Sequence, residues 1–235
     1  MGPEAGRPEK AAMGKPVNVG VTEGYRMWAS TYDRDPNPLL ALEQRVAAPL
    51  LGSIKGARVI DLCAGTGRWM AIAARMRASV IGVDINLEML AQAAAKPGLA
   101  GCLVTGDLLH LPFRNASADL AICSFGLSYA SSAQQAFREL ARVARRVMVN
   151  DMHPTAIQAG WSRAFETASR KCRIACYRRS LAEIEGAAYA AGLRPEYSIE
   201  ACFGEPERKI FEVAGKLDRF EEMSLIPAVY VKTWV

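Results

Sequence analysis

Arg58-Val59-Ile60-Asp61-Leu62-Cys63-Ala64-Gly65-Thr66-Gly67 is the stretch on which the reading of this chain turns. A short apolar run of strand length breaks into a turn that holds two glycines, and a helix-like stretch, Arg68–Arg77, follows at once. The same alternation then repeats downstream. Ser79-Val80-Ile81-Gly82-Val83-Asp84 reads as a second strand, and Asn86 is placed to cap a helix running through Ala95. Gly101–Asp107 reads as a third strand and Ala118–Phe125 as a fourth. Ala133–Ala144 puts Phe137, Leu140, Ala141 and Ala144 on one helical face ahead of a fifth strand, Arg146–Asp151. Strands alternating with helices of ten to fifteen residues imply right-handed crossovers and a parallel sheet.

Outward from this block the pattern loosens. Residues 1–20 lack apolar periodicity and are expected to form a loose arm. Residues 21–52 read as two helical pieces split by the breaker Asp35-Pro36-Asn37-Pro38. Beyond Pro154 the spacing predicts helices over Ala156–Arg170 and Ser180–Ala191. It then predicts an extended piece, Glu196–Phe203, a charged amphipathic helical insertion over 207–222 and a final strand, Ala228–Trp234. The expected fold is α/β: a Rossmann-like, doubly wound, mainly parallel seven-stranded sheet with helices on both faces and a short helical N-terminal extension. One domain is expected over 21–235, with a cofactor-binding half at 58–151 and a substrate-side half at 152–235. The insertion 207–222 would cover a pocket or contact a second subunit.

The composition narrows the function. The 235 residues are 51% hydrophobic and 23% charged, the balance of a globular protein with a sizeable core, which excludes disorder and coiled coil for the whole chain. The longest uncharged stretch, Leu120–Phe137, carries four Ser, two Gln and a Gly, too polar to span a bilayer. No secretion signal or myristoylation pattern opens the sequence, so a cytoplasmic protein with no membrane partner is expected. Six cysteines with two histidines give neither a disulfide framework nor a metal-ligand set, and no metal is expected. The net charge of +5 is mild, and its densest part, Arg170, Lys171, Arg173, Arg178 and Arg179, reads first as a solvated helix face and second as a patch for an anionic ligand.

In an open parallel sheet a ligand lies beyond the carboxyl ends of the strands where the strand order reverses, which is where the glycine turn belongs. Asp84 follows Gly65 by nineteen residues, the spacing at which a carboxylate accepts hydrogen bonds from both hydroxyls of an adenosine ribose. Asp61 and Asp107 end the strands on either side of it in sequence, so three successive strands finish in an acid. A dinucleotide fingerprint would need a third glycine where this chain has Met70, and no Tyr-x-x-x-Lys pair follows any of the seven tyrosines. A ligand bearing an ammonium instead of a pyrophosphate suits an acid such as Asp61 below the turn.

These residues carry a resemblance. Asp61–Gly67 resembles motif I of the class I S-adenosylmethionine-dependent methyltransferases, written Asp/Glu-x-Gly-x-Gly-x-Gly, with Cys63 standing where the family has its first glycine. Val83–Leu90 and Phe137–Val143 are similar to later segments of the family, and Gly106–Phe113 resembles its Gly-Asp-x-x-x-Leu-Pro-Phe stretch. Tyr25-x-x-Trp28-Ala29-x-x-x-Tyr32-Asp33 resembles the N-terminal signature of its small-molecule branch, related to the ubiquinone and menaquinone methyltransferases. The resemblance covers about residues 20–153. It implies S-adenosylmethionine as cofactor, with Asp84 on the ribose, Asp107 on the adenine amino group and the Leu108 backbone on the adenine ring. Ile85 and Met89 would pack against that ring, and Asp61, Ala64, Gly65 and Gly67 would line the methionine end, with Ser124 at the end of the fourth strand beside them. Tyr32 would close over the cofactor, while Trp28 anchors its helix.

The reaction implied is methyl transfer to a small organic acceptor by in-line displacement, which chiefly demands alignment. His153, just past the fifth strand, is the candidate general base, with Asp151 as its alternative or orienting partner; the competing reading is a turn histidine hydrogen-bonded nearby. Trp161, Phe165 and Tyr177 either shape an acceptor pocket or pack in the core. His110 is expected to face solvent. A nucleic-acid methyltransferase is disfavoured by Ser124-Phe125-Gly126-Leu127, which lacks the prolines that grip a flipped base, and a non-catalytic S-adenosylmethionine-binding sensor or partner subunit stays open. Both monomer and homodimer fit.

Overall fold

The computed structural model describes residues 15–34 and 36–235. In chain order, β1 (Val17–Val19) leads into α1 (Val21–Trp28), a 3₁₀ turn (Ala29–Thr31) and α2 (Pro38–Ala47). There follow β2 (Arg58–Leu62), α3 (Arg68–Arg75), β3 (Ser79–Asp84), α4 (Leu87–Ala94), β4 (Leu103–Thr105) and β5 (Ala118–Ser124). After a 3₁₀ turn at Leu127–Tyr129 come α5 (Ala133–Val143), β6 (Ala144–Met152), α6 (Pro154–Gln158), β7 (Ala164–Glu166) and β8 (Lys171–Ile174). The chain continues through α7 (Leu181–Ala190), β9 (Pro195–Ala201), α8 (Glu205–Val213), α9 (Leu217–Met223) and β10 (Val229–Trp234).

The main sheet has seven strands in the order β4-β3-β2-β5-β6-β10-β9. The five strands from β2 to β6 pair in parallel, and β10 runs antiparallel to both β6 and β9. Order reverses at β2, whose two neighbours, β3 and β5, lie on opposite sides, so the loop leaving β2 stands at the switch point.

Local chemistry explains the elements. The Asn37 side chain accepts from the Leu39 and Leu40 N–H groups and Pro38 sits in the first turn, so the breaker in the sequence is also the start of α2. Asn86 caps α4 by accepting from Met89, and Ser180 with Glu183 forms a capping box on α7. Along β10 the side chains alternate: Val229 and Val231 join the layer containing Leu42, Trp69 and Met70, while Tyr230 and Trp234 join the layer containing Phe137, Leu140 and Val149.

Four expectations need correction. No helix spans Ala156–Arg170: α6 stops at Gln158, and the chain forms the β7–β8 hairpin, whose β8 pairs in parallel with β1 to make a separate three-stranded sheet. That sheet buries Val19, Phe165, Cys172 and Ile174 on one side, an alternation too short to read against helical spacing. The arm over 1–20 therefore contains a strand at 17–19, and the remainder of the expectation for 1–14 lies outside the described residues. The basic cluster is carried on β8 and the strand exit, not on a helix. Arg170, Arg173 and Arg178 are exposed there, while Arg179 donates to the Leu127 and Ala130 carbonyls. The 207–222 insertion is two helices broken at Gly215, packed against α2 through the Arg45–Glu207 ion pair at 2.8 Å, and none of it lines the cavity described next. Among the described residues no helix is long and apolar enough to cross a membrane.

Candidate active site

At the carboxyl ends of β2, β3 and β5, under α1 and the segment leading to α2, lies a cavity of about 310 Å³. Its floor is the turn after β2. Gly65 and Gly67 have φ of +55° and +77°, in the left-handed region that a glycine adopts without steric cost. Cys63 also has φ of +55°, and here a side chain must be fitted. Gly126 makes the room, since a Cβ at that position would fall 2.5 Å from the Cys63 sulfur. The departure from the motif I pattern is thus matched across the site.

Asp84 closes this turn. Its Oδ2 accepts from the Gly65 N–H at 2.7 Å and its Oδ1 from the Asn86 N–H at 2.8 Å. Each oxygen keeps a lone pair for a further donor. Burial pushes the carboxyl up, against these two amides. Asp61 lies beneath, accepting from the Met70 N–H at 3.1 Å, and burial pushes it up to about 7. Asp107 is half-exposed, its Oδ1 holding the Leu109 N–H at 2.9 Å. Ala64, Ile85, Met89 and Leu108 supply apolar walls. Of the predicted cofactor residues, Tyr32, Asp61, Ala64, Gly65, Asp84, Ile85, Met89, Asp107, Leu108 and Ser124 all border this one space.

Gly67 does not. A Cβ there would meet Leu99 and Ala93 at 2.9 and 3.2 Å, so this glycine serves the close approach of α3 to the α4 side of the fold. His153 and Asp151 also lie elsewhere. His153 is buried at the start of α6, its Nδ1 2.7 Å from Thr155 Oγ1 and its Nε2 2.9 Å from Glu200 Oε2, so both ring nitrogens are engaged. Asp151 is buried with its carboxylate accepting from the Ser128 and Met152 N–H groups, in a small separate hollow beside Tyr177 and Arg179. Asp151 is bound by the 3₁₀ turn after β5 through Ser128, and neither residue borders the cavity. Trp161 packs on Phe203 and Phe211, Phe165 stacks on Trp28, and Tyr177 is exposed, so none of the three lines the cavity. His110 is largely exposed, as expected.

The structure adds two groups to the site, of which only Tyr25 and Tyr32 were marked by the sequence. Glu43 of α2 is fully buried, and its carboxylate takes Arg68 Nη2 at 2.6 Å, Trp69 Nε1 at 2.8 Å and the Ser124 hydroxyl at 3.0 Å. An acid on the Leu39–Leu42–Ala47 face of an otherwise apolar helix is the signal that marks it. The second group is the wall formed by Tyr25, Tyr32, Phe125 and Tyr129, with Arg163 behind it. Tyr25 donates to Tyr129 at 3.1 Å, and Arg163 donates to the Tyr32 hydroxyl. The N-terminal segment is held over the cavity by Asn86 Nδ2 donating to the Thr22 carbonyl at 2.9 Å, and by Asp33, which accepts from Thr66 at 2.9 Å and pairs with Lys96 at 2.7 Å. Among the described residues, no group of His, Cys, Asp and Glu could hold a metal ion.

Residues 59–147 match the family model of a methyltransferase domain. A demethylmenaquinone methyltransferase of Beutenbergia cavernae is 38% identical over 105 residues, 44% of this chain and 43% of that protein. The biotin biosynthesis bifunctional protein BioHC of Cellvibrio japonicus is 32% identical over 127 residues, 52% of this chain and 24% of that protein. The matches thus span less than half the length of either curated relative. The crystal structure of an S-adenosylmethionine-dependent methyltransferase from Mesorhizobium loti superposes with a TM-score of 0.65 at 22% identity, covering 84% of this chain and 99% of that one. The fold is the Rossmann-like one of these enzymes, and the chain resembles the class I S-adenosylmethionine-dependent methyltransferases in the same segments that carry the motifs.

Proposed function

We infer that this chain, similar to class I S-adenosylmethionine-dependent methyltransferases in sequence and alike in fold, moves the methyl group of S-adenosylmethionine to a small organic acceptor. The observation that carries the reading is the Asp84 carboxylate at the switch point, fixed by two backbone amides with one lone pair left on each oxygen. That is the acceptor pair a ribose diol requires. The donor set fits the rest of the cofactor as well. Buried acids at Asp61 and Asp84 suit hydroxyls and an ammonium and would repel a pyrophosphate, and Met89 closes on Gly65, where a Cβ would stand 3.2 Å from its terminal methyl. When bound, S-adenosylmethionine supplies an electrophilic methyl carbon on a sulfonium.

The residues of the chain then have positional tasks. Asp84 would fix the ribose, Asp107 and the Leu108 backbone the adenine, and Ile85 and Met89 would enclose its faces. Asp61 would receive the ammonium. Tyr32 and Tyr25, brought in by the N-terminal segment, would keep water from the reacting end. In-line displacement needs the acceptor atom aligned with the methyl carbon, and the wall of Tyr25, Phe125 and Tyr129 supports an apolar, planar acceptor body there. His153 and Asp151 have no part in this reading, because both are spent on structural hydrogen bonds outside the cavity.

Calorimetric titration with S-adenosylmethionine and S-adenosylhomocysteine tests it. Micromolar binding of both is expected, weakened about a hundredfold in Asp84→Ala, since two hydrogen bonds to a charged group are lost. Failure of the wild-type protein to bind either ligand, with co-purified ligand excluded by mass spectrometry, would sink the reading.

A further inference from the structure

Behind the aromatic wall of the cavity lies a cation that makes no ion pair among the described residues. Arg163 precedes β7 and is 5% exposed. Its guanidinium stands 5.3, 5.5 and 5.1 Å from the ring centroids of Trp28, Tyr32 and Phe125. One nitrogen, Nη2, donates to the Tyr32 hydroxyl, while Nε and Nη1 have no hydrogen-bond partner among the described residues. Arginine stays protonated in a protein, so the charge is present whether or not it is matched.

We propose that Arg163 is the anchor for an anionic group on the acceptor, a carboxylate carried by an apolar planar body. Four arguments converge on this. A buried charge with two unused donors carries a large desolvation cost, and cation–π contacts with three rings offset it only in part. Among the described residues no carboxylate forms an ion pair with it. Burial pushes the Tyr25 and Tyr129 hydroxyls up, which keeps them uncharged near pH 7, and the Asp151 carboxylate feels its field from beyond ion-pair distance, held by two backbone amides. Position is the third argument. Tyr32 and Phe125, which stack on the guanidinium, also line the cavity, as do Tyr25 and Tyr129. Last, the planar fork of a guanidinium matches a carboxylate with two parallel hydrogen bonds, and the rings around it match a flat apolar body. Calling that ligand the acceptor rests on the methyl-transfer reading; the anion site does not.

The test compares each of three carboxylates, benzoate, 1-naphthoate and hexanoate, with its neutral amide by calorimetry on the full chain. Wild-type protein is expected to bind at least one carboxylate ten times more tightly than its amide. Arg163→Met, checked for cooperative melting, is expected to erase that preference. Should Arg163→Met fail to fold, Arg163→Lys keeps the charge without the fork and is expected to lose at least threefold of the preference. Equal binding of acid and amide by wild type overturns the proposal, and so does a preference that survives unchanged in the folded Met variant or in the Lys variant. S-adenosylhomocysteine is titrated alongside. Should it fail to bind while the carboxylate preference stands, the cofactor reading falls and the anion site remains.

Discussion

Asp61 is a residue whose chemistry changes with conditions near neutral pH. Its folded pKa, about 7, lies well above the ordinary carboxylate value, chiefly because burial disfavours its charge. The folded state therefore holds the proton more tightly than the unfolded chain. This contribution to stability is fully present below about pH 4 and is lost as pH rises towards 7. A cationic ammonium bound beside it reverses the preference and expels the proton. Binding of S-adenosylhomocysteine is accordingly expected to strengthen as pH rises from 5.5 to 7. Calorimetry in two buffers of different ionisation enthalpy should then show proton release at pH 6, and Asp61→Asn should show none. Cys63 and Gly126 form a second residue-scale unit. Gly126→Ala should lose about 1–3 kcal/mol in urea unfolding by overpacking the Cys63 sulfur, and Cys63→Gly in the same chain should restore most of it. If the two changes prove additive, the steric account of the missing motif glycine is wrong. The acids at the strand ends were legible in the sequence because strand length and turn glycine fix where a strand stops. Of the two readings the sequence left for His153, the geometry favours the turn histidine, and position after a strand could not decide between them because it says nothing about which loop packs there; Ser128 belongs to that loop.

At the scale of elements, α2 does more than extend the N-terminus. Glu43 ties it to the first turn of α3 through Arg68 and Trp69 and to the end of β5 through Ser124, all beside the cofactor turn. Burial pushes the Glu43 carboxyl up while Arg68 opposes this. Replacing one partner of a buried pair strands the other, so Glu43→Leu is expected to cost about 3–5 kcal/mol in chemical denaturation and to weaken cofactor binding. Glu43→Gln, which keeps the shape, should cost less. A Leu variant as stable as wild type would show that the network is ornamental. The helices and the longer strands β2, β3, β5 and β6 were legible because each buried face repeats over several turns or residues, and three-residue β4 only as one beat of the strand–helix alternation. The β7–β8 hairpin was not: three- and four-residue strands show too few alternations to compete with helical spacing, and their partner β1 lies some 150 residues away.

For the molecule as a whole, the small sheet and the N-terminal helices make a roof over the carboxyl edge of the large sheet. The links that hold the roof include β1 on β8, Thr22 on Asn86, Tyr25 on Tyr129, and Asp33 on Thr66 and Lys96. Deleting residues 1–20 removes β1. Amide exchange in β8 is then expected to quicken while β2, β5 and β6 stay protected, and S-adenosylhomocysteine to bind about tenfold more weakly, read by hydrogen-exchange mass spectrometry and calorimetry. Unchanged exchange in β8 would mean that the hairpin needs no β1. The doubly wound plan was visible from sequence, but the roof was not, because it is made from pieces at residues 17–34 and 163–174 that only the folded chain brings together.

The place of β10 has a consequence for how the protein comes into being. Residues 229–234 lie between β6 and β9, hydrogen-bonded to both, so the sheet is divided into two parts until they insert. During synthesis the parallel block can collect as it emerges, yet one edge of β6, with Val147 and Val149, stays uncovered until the ribosome has released the segment ending at Trp234. Such an open edge invites pairing with another nascent chain. Slow translation while this segment is still inside the ribosome would lengthen that exposure, and a trigger-factor-like holdase binding the unfinished chain would shorten its risk.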